Sequence, residues 1–385
     1  MSRKILIVGG GFAGFWAAVA ARRVAGAQAD VTLVSPEPML EIRPRMYEAQ
    51  PETLVVDLLP HLQKIGVRFV RGNAAELDTA ARTVMLSSGE RLAYDRLVVA
   101  SGSRMRRPSV AGAEDAFSVD TRAEAIAFDL HLAEIARRVV APTIAVVGAG
   151  FTGIELVLEL RDRLQAHSNG AVAERARIML IDRSEIAGRA LGPNLQATIE
   201  EALNLARVER HLGATIVSLA RNRVSLADGS TLVADAVVLS TGMIAAPFAA
   251  QVPGDRDELG RVVVDASLQA PAAPGVLVAG DAAVADTGDG HQTLQSCQHA
   301  LQTGRVAGEN AARSLLGLPA LPYAQKRYVT CLDLGRSGAV LTRGWDRQID
   351  KTGNEGKAVK RKINTELIYP PADSTADELL ASSRL

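Results

Sequence analysis

One glycine motif occurs twice in this sequence, and it restricts the fold more than any other feature. The motif reads "GGGFAG" from Gly9 and "GAGFTG" from Gly148. Each copy follows a short apolar run, "KILIV" or "TIAVV", and precedes a stretch in which apolar residues have helical spacing. A strand, a glycine turn and a helix that recur in this order predict an α/β protein with two Rossmann-like domains.

Glycines suit such a turn because the backbone has to approach a bound phosphate closely. The first glycine permits the tight turn, the second admits the pyrophosphate, and the third lets helix and strand pack together. The helix N-terminus adds N–H donors and the positive end of a dipole. We therefore predict two dinucleotide sites, formed at Gly9, Gly11, Phe12, Ala13 and Gly14 and at Gly148, Gly150, Phe151, Thr152 and Gly153.

The residue that ends the second strand of each unit bears on which nucleotide binds. A carboxylate at this place accepts the ribose hydroxyls and repels a 2′-phosphate. In the second unit Asp182 ends "ARIMLID", which favours NADH, although Arg183 beside it leaves NADPH open. In the first unit Ser35 stands there and Glu37 follows, so that either one of them accepts the ribose or the segment is only a turn.

Composition and charge exclude several classes of protein. The 385 residues include 43 basic and 43 acidic side chains, and only 4% are aromatic. This balance offers nucleic acid neither a favourable field nor a stacking surface, and no zinc-ligand spacing occurs, so we predict neither a nucleic-acid partner nor a metal. Cys297 and Cys331 are the two cysteines and form no CxxC motif, which favours a reducing, cytoplasmic setting.

Five segments, in their order along the chain, resemble the type II NADH dehydrogenases, the single-subunit NADH:quinone oxidoreductases. They are "KILIVGGGFAG", "YDRLVVASGS", "IAVVGAGFTGIELVLEL", "VVLSTG" and "GVLVAGDAA". The resemblance extends from residue 3 to about residue 345 and implies a glutathione-reductase-like arrangement of the two domains. It also implies FAD at the first glycine motif, NAD(P)H at the second, and electron transfer from NADH through FAD to a quinone.

The resemblance further implies which residues surround each cofactor. Asp281 would bind the ribityl chain of FAD, and Ala74 lies where the family contacts adenine. Around FAD the expected set adds Ser35, Glu37, Arg43, Ala100, Ser101, Gly102 and Gly280; around NAD(P)H it adds Asp182, Arg183 and Gly242.

The same resemblance divides the chain into four segments. We expect residues 1–110 to begin the FAD domain, 111–242 to form the NAD(P)H domain, 243–318 to complete the FAD domain, and 319–385 to form a small C-terminal α+β region. In that last region, the basic stretch 357–367 predicts a helix that is solvated, contacts a second copy in a homodimer, or binds weakly to an anionic membrane. The polar end of the chain is expected to be a loosely held tail.

Glu155 follows the second glycine motif in the string "TGIE". An acid in the first turn of a helix is stabilised by the helix dipole, and this alone would account for it. The same charge would repel a phosphate at that helix N-terminus, however. In type II NADH dehydrogenases the glutamate of this string faces the nicotinamide and flavin and handles protons, so the resemblance implies a catalytic role for Glu155.

The stretch "SCQHALQTG" carries the candidate site for the electron acceptor. A helix expected from about Thr293 to Leu316 places Cys297 on an apolar packing stripe and Gln298 and Gln302 on the adjacent polar face. By itself, such a pair of glutamines is typical of a solvated helix. The resembling family has Ala-Gln-x-x-x-Gln here, and its amides line the quinone pocket. The resemblance therefore implies Gln298 and Gln302 as acceptor-site residues, with Cys297 in place of the alanine.

Two alternative functions stay open at the level of sequence. One is a soluble FAD-dependent oxidoreductase with another acceptor, in secondary metabolism or feeding a ferredoxin-like carrier. The other is a redox-sensing protein that holds flavin and NAD(P)H. Dithiol chemistry is disfavoured because the sequence has no close cysteine pair. We expect a cytoplasmic protein, soluble or peripheral on the inner face of the membrane, because no stretch reads as a transmembrane helix.

Overall fold

The computed structural model describes residues 3–168, 170–220 and 222–385. Its α-helices are, in chain order, α1 (Phe12–Ala25), α2 (Leu59–Lys64), α3 (Arg122–Arg138), α4 (Phe151–His167), α5 (Gly170–Arg175), α6 (Gln196–Leu205), α7 (Cys297–Leu315), α8 (Gly353–Lys362) and α9 (Ala376–Ala381).

The first parallel sheet combines four early strands with one late strand. Its strands are, from edge to edge, Val276–Val278, Arg96–Val99, Arg3–Val8, Ala29–Ser35 and Arg68–Arg71. The central strand is apolar on both faces, as expected for a sheet that is covered on both sides. Helices α1 and α7 pack closely against each other next to this sheet. The first glycine motif and α7 are therefore held in one unit.

The second parallel sheet repeats this plan in the middle of the chain. Its strands are, from edge to edge, Phe117–Ser118, Ala236–Leu239, Thr143–Val147, Arg177–Asp182 and Val208–Leu212. Two parallel sheets, each with a glycine turn that leads into a helix, confirm the predicted α/β fold with two Rossmann-like domains.

Smaller sheets complete the two domains. Ser103–Met105 pairs antiparallel with Met243–Ala245 and thus joins the two chain segments that run between the large sheets. The other strands are Met39–Glu41 with Val55–Asp57, Ala74–Asp78 with Thr83–Leu86 and Arg91–Ala93, Ile216–Ala220 with Arg223–Leu226 and Thr231–Val233, and Val262–Val263 with Ala283–Val284.

The C-terminal region is packed more firmly than the sequence suggested. An antiparallel sheet of Val329–Asp333, Ala339–Arg343 and Gln348–Lys351 precedes α8, a wide helical turn at Ile363–Leu367, and α9. Helix α9 packs on α1, with Leu379 fully buried, and Arg23 donates a hydrogen bond to Ser383. The prediction of a loosely held tail is therefore wrong, because apolar side chains of the tail complete the core beside α1.

Helix α7 begins four residues later than predicted. Thr293 is still part of a turn, in which its N–H donates to Ala285 O and its hydroxyl accepts from Ala285 N. Ser296 then caps the helix by accepting a hydrogen bond from the N–H of His299. Leu294, assigned to the buried stripe by its spacing, is consequently outside the helix and 38% exposed.

Candidate active site

The first glycine motif has the geometry of a cradle for a bound group. A Cβ at Gly9 would lie 2.1 Å from the carbonyl oxygen of Ala100, and a Cβ at Gly14 would lie 1.7 Å from that of Gly9. Gly9 also has φ of +115°, which disfavours any other residue. At Gly11, in contrast, a Cβ would meet nothing within 4 Å. Gly9 and Gly14 thus serve the fold, and Gly11 leaves open space at the N-terminus of α1.

The second motif repeats this geometry. Cβ atoms at Gly148 and Gly153 would lie 2.0 Å from Ser240 O and 1.8 Å from Gly148 O, whereas Gly150 is open. Asp182 stands beside this turn and accepts hydrogen bonds from the N–H groups of Ala149 and Ser184, both at 2.7 Å. The carboxylate is therefore fixed by the backbone at the end of its strand.

The other predicted NAD(P)H residues lie around the same turn or strand ends. Phe151 and Thr152 are the first two residues of α4, and Thr152 is exposed. Arg183 is exposed directly after Asp182. Gly242 has φ of +87° just after a strand of the second sheet, where its carbonyl oxygen accepts from Arg106 N.

Polar groups beside the first motif fit a dinucleotide that carries a flavin. Ala100, Ser101 and Gly102 follow a strand of the first sheet, and the buried hydroxyl of Ser101 has no hydrogen-bond partner in the described part of the chain. Gly280 and Asp281 follow the neighbouring strand. Ser103 donates to Asp281 at 2.6 Å, and burial raises the pKa of that carboxyl. An unsatisfied hydroxyl, an open glycine and a half-buried acid thus lie at adjoining strand ends, where the sequence predicts FAD.

The remaining residues predicted near FAD have their own partners. Ser35 is buried next to Gly10, and Glu37 is exposed and paired with Arg71 at 2.6 Å. Arg43 forms an ion pair with Asp120 and donates to Ser103. Ala74 is half-buried at the start of a strand. Roles for these four residues at FAD stay predictions.

Glu155 is the fifth residue of α4 and faces protein rather than solvent. The prediction that Glu155 lies in the first turn of the helix is wrong, because α4 begins at Phe151 and Glu155 therefore lies in its second turn. The side chain is 2% exposed, and its Oε1 lies 2.7 Å from Lys360 Nζ and 2.9 Å from Asp333 N. Burial raises the pKa of Glu155 to about 7, against the lowering effect of Lys360. An acid with such a pKa exchanges a proton readily at neutral pH.

Lys360 and Asp333 are the site residues that the sequence did not reveal. Lys360 was expected on a solvated or interfacial helix, but it is buried, donates to Cys331 O, and lies 5.4 Å from the ring centroid of Phe151. Asp333 is buried as well and accepts from Lys357 and from the hydroxyl of Tyr47. Within one sequence, no spacing connects residue 155 with residues 333 and 360.

The start of α7 brings Cys297 into the neighbourhood of Lys360. The thiol of Cys297 is partly buried, and desolvation raises its pKa to about 11, with Lys360 and Asp281 both close enough to modify it. A neutral thiol is a poor nucleophile. The amide nitrogen of Gln298 is buried and makes no hydrogen bond within the described residues, and Gln302 follows one helical turn later, half-buried.

No group of three or more histidine, cysteine, aspartate or glutamate side chains among the described residues is arranged to hold a metal ion. No helix among them has both the length and the apolar character that a membrane crossing requires.

The glycine cradles and strand-end residues match a known family. The family model of the pyridine nucleotide-disulphide oxidoreductases matches residues 3–304. The chain belongs to this family. Its members are NAD(P)H-dependent flavin oxidoreductases that bind FAD and pass electrons to acceptors such as quinones or ferredoxins.

Individual relatives of this oxidoreductase support the resemblance to the type II NADH dehydrogenases. An NADH dehydrogenase-like protein of Mycobacterium tuberculosis is 38% identical over 390 residues, which cover 99% of this chain and 98% of that protein. A type II NADH:quinone oxidoreductase of the same organism is 27% identical over 314 residues, 72% of this chain and 66% of that protein. A solved ferredoxin reductase of Rhodopseudomonas palustris has the same fold, with a TM-score of 0.73 and 23% identity over 88% of this chain and 82% of its own.

Proposed function

We propose that this oxidoreductase transfers electrons from NADH, through FAD, to a quinone-type acceptor. The observation that carries the proposal is the unsatisfied amide of Gln298, which is buried at the start of α7 beside Cys297. A quinone needs neutral hydrogen-bond donors at its carbonyl oxygens, and an amide supplies such a donor without a charge. Bound FAD supplies the redox chemistry by accepting a hydride and delivering two electrons.

The protein residues have distinct roles in this proposal. The backbone at Gly11 and Gly150 admits the two dinucleotides, and Asp182 accepts the ribose hydroxyls of NADH. Gln298 and Gln302 orient the acceptor. Reduction of a quinone to a quinol by NADH consumes one proton from solution, and Glu155 holds a proton at its carboxyl group when the pH is below about 7.

A two-stage anaerobic stopped-flow experiment tests the proposal. FAD absorbance is followed first during reduction by NADH or NADPH, and then during reoxidation by a soluble benzoquinone. We expect the double variant Gln298→Leu/Gln302→Leu to slow reoxidation about tenfold or more, because two donors of about 1 kcal/mol each are lost. Reduction by NADH should stay within about twofold of wild type, because the second glycine motif is unchanged.

Matched variants and acceptors separate the alternatives. Gln348→Leu removes an exposed amide of the C-terminal sheet and should change neither stage. Reoxidation by a ferredoxin but not by quinones would instead support a carrier-reducing enzyme. Fast reduction with no reoxidation by any acceptor would indicate a redox sensor. Unchanged quinone reoxidation in the double variant would remove Gln298 and Gln302 from the acceptor site.

A further inference from the structure

Helix α7 carries an arginine that none of the roles above involves. Arg305 lies seven residues after Gln298, which is about 10 Å along the helix axis. Its guanidinium carbon is 4.3 Å from the ring centroid of Trp16 on α1. Trp16 is only 3% exposed, and Arg305 is half-buried. A cation is thus held against an aromatic ring, between the two helices that lie next to the predicted FAD site.

Both members of this pair have unsatisfied hydrogen-bond donors. Arg305 Nε and Trp16 Nε1 are shielded from solvent, and neither finds an acceptor anywhere in the described residues. Burial lowers the pKa of Arg305. Arginine nevertheless stays protonated in proteins, so the buried part of the guanidinium carries its charge. A buried donor that has no hydrogen-bond partner costs free energy. A bound group that accepts hydrogen bonds from these donors would remove this cost.

The neighbouring acid on α7 does not neutralise Arg305. Glu309, one turn further along α7, pairs with Arg23 and with Arg313. The arginines that are fully buried do have carboxylate partners: Arg163 pairs with Asp129 and Arg261 with Asp257, both at 2.7 Å. Over the described residues, Arg305 has no ion pair. Its charge and donors therefore suit an anionic oxygen group that comes from outside the chain.

The positions before Arg305 indicate where such a group would be attached. Gln298, Gln302 and Arg305 follow one another at steps of four and three residues and therefore lie along one side of α7. All three side chains are half-buried. This side of the helix carries two amides near its start and a cation about 10 Å further on, which matches a molecule with a polar ring at one end and an acidic group at the other.

We propose that Arg305 and Trp16 form a subsite for an acidic group on the side chain of the electron acceptor. This inference rests on the proposed function, and it names the acceptor as a quinone-type molecule that bears a carboxylate or similar anion about 10 Å from its reducible ring. The guanidinium binds the anion through charge-assisted hydrogen bonds, and the indole N–H adds a neutral donor. Trp16 holds the guanidinium in place by its contact with the ring.

The test uses the FAD-loaded enzyme and two benzoquinones whose alkyl side chains have equal length and end in a carboxylate or a hydroxyl. We expect kcat/KM to favour the carboxylate by about tenfold or more in wild type. Arg305→Met should abolish this preference through KM while leaving kcat with the hydroxyl quinone unchanged. Arg305→Lys keeps the positive charge but loses the paired N–H donors of the guanidinium, and it should retain part of the preference. Trp16→Phe removes the indole N–H, keeps an aromatic ring against the guanidinium, and should weaken the preference slightly.

Controls and a binding measurement complete the experiment. Arg313→Met removes another arginine of α7 and should keep the preference. Equilibrium binding of both quinones, followed by tryptophan fluorescence, gives the same comparison without turnover. Equal affinities in wild type, an undiminished preference in Arg305→Met, or loss of FAD absorbance in that variant would overturn the subsite. Failure to reduce either quinone would count against the proposed function alone, because the binding comparison still decides the subsite.

Discussion

Lys360 of α8 holds its ammonium nitrogen 2.7 Å from Oε1 of Glu155 on α4, and both side chains are buried. Burial lowers the pKa of Lys360, but the Glu155 carboxylate offsets this and the net pKa is raised. Burial also raises the pKa of Glu155, so that this acid is protonated at a pH where ordinary glutamates are ionised. The C-terminal region thereby sets the protonation of a residue that the second domain supplies.

Glu155 should give acceptor reduction a pH dependence near neutrality. Because its pKa is about 7, the protonated fraction falls as the pH rises through 7. We therefore expect the rate of flavin reoxidation by a quinone to fall over the same range. Glu155→Gln should be slower by about tenfold or more and insensitive to pH there. Stopped-flow reoxidation across the pH range measures this. Glu134→Gln, an exposed acid of α3, should keep the wild-type profile.

Removal of Lys360 should destabilise the fold because it leaves a buried acid unpaired. Lys360→Met is expected to lower the free energy of unfolding by about 3 kcal/mol at alkaline pH, where Glu155 is ionised, and by less at neutral pH, where Glu155 takes up a proton. Without Lys360 the folded-state pKa of Glu155 rises further, so the loss should be smallest in acid and grow as the pH increases. Thermal unfolding at several pH values checks this. Lys360→Met with Glu155→Leu should recover most of the loss, and failure to do so would show that the pair is not the cause.

Gly11 and Gly14 of the first motif should respond differently to a methyl group. Gly14→Ala places a Cβ 1.7 Å from Gly9 O and should lower the unfolding temperature sharply. Gly11→Ala meets nothing within 4 Å and should fold with near-normal stability, yet retain less FAD because the methyl occupies the phosphate approach. The flavin content of purified protein and its unfolding temperature in the absence of FAD separate the effects. Full FAD content in Gly11→Ala would show that the pyrophosphate of FAD does not approach the backbone at Gly11.

Asp182 should set the preference between NADH and NADPH. Asp182→Ala removes the carboxylate that repels a 2′-phosphate, so the ratio of kcat/KM for NADH over NADPH should fall. The variant also loses two hydrogen bonds to backbone N–H groups and should unfold at a lower temperature. Asp235→Ala is the matched control, because that carboxylate accepts from Thr143 N in the same sheet. It should lower stability and leave the nucleotide ratio unchanged.

The sequence predicted the fold well because its determinants are local. Gly9 and Gly14 contact each other across five residues, and Gly148 and Gly153 do the same. Strands such as Arg3–Val8 were recognised because they contain a continuous apolar run, here residues 5–8. Helix α7 was predicted less accurately, since its first turn depends on the hydrogen bonds of Thr293 with Ala285, which are not visible in the periodicity.

The candidate site also contains some features that are encoded locally and others that depend on distant segments. By itself, the sequence determined the two glycine turns and the strand-end acid Asp182, because each is encoded within a few neighbouring residues. The role of the glutamine pair of α7 followed from the family resemblance and stays a prediction. Only the tertiary structure decided that Lys360 is buried against Glu155 and that Arg305 rests on Trp16 without an acid. The burial of a side chain and its charged partners depend on segments that are distant in sequence. The apolar pattern of a helix shows only which of its own residues share a face.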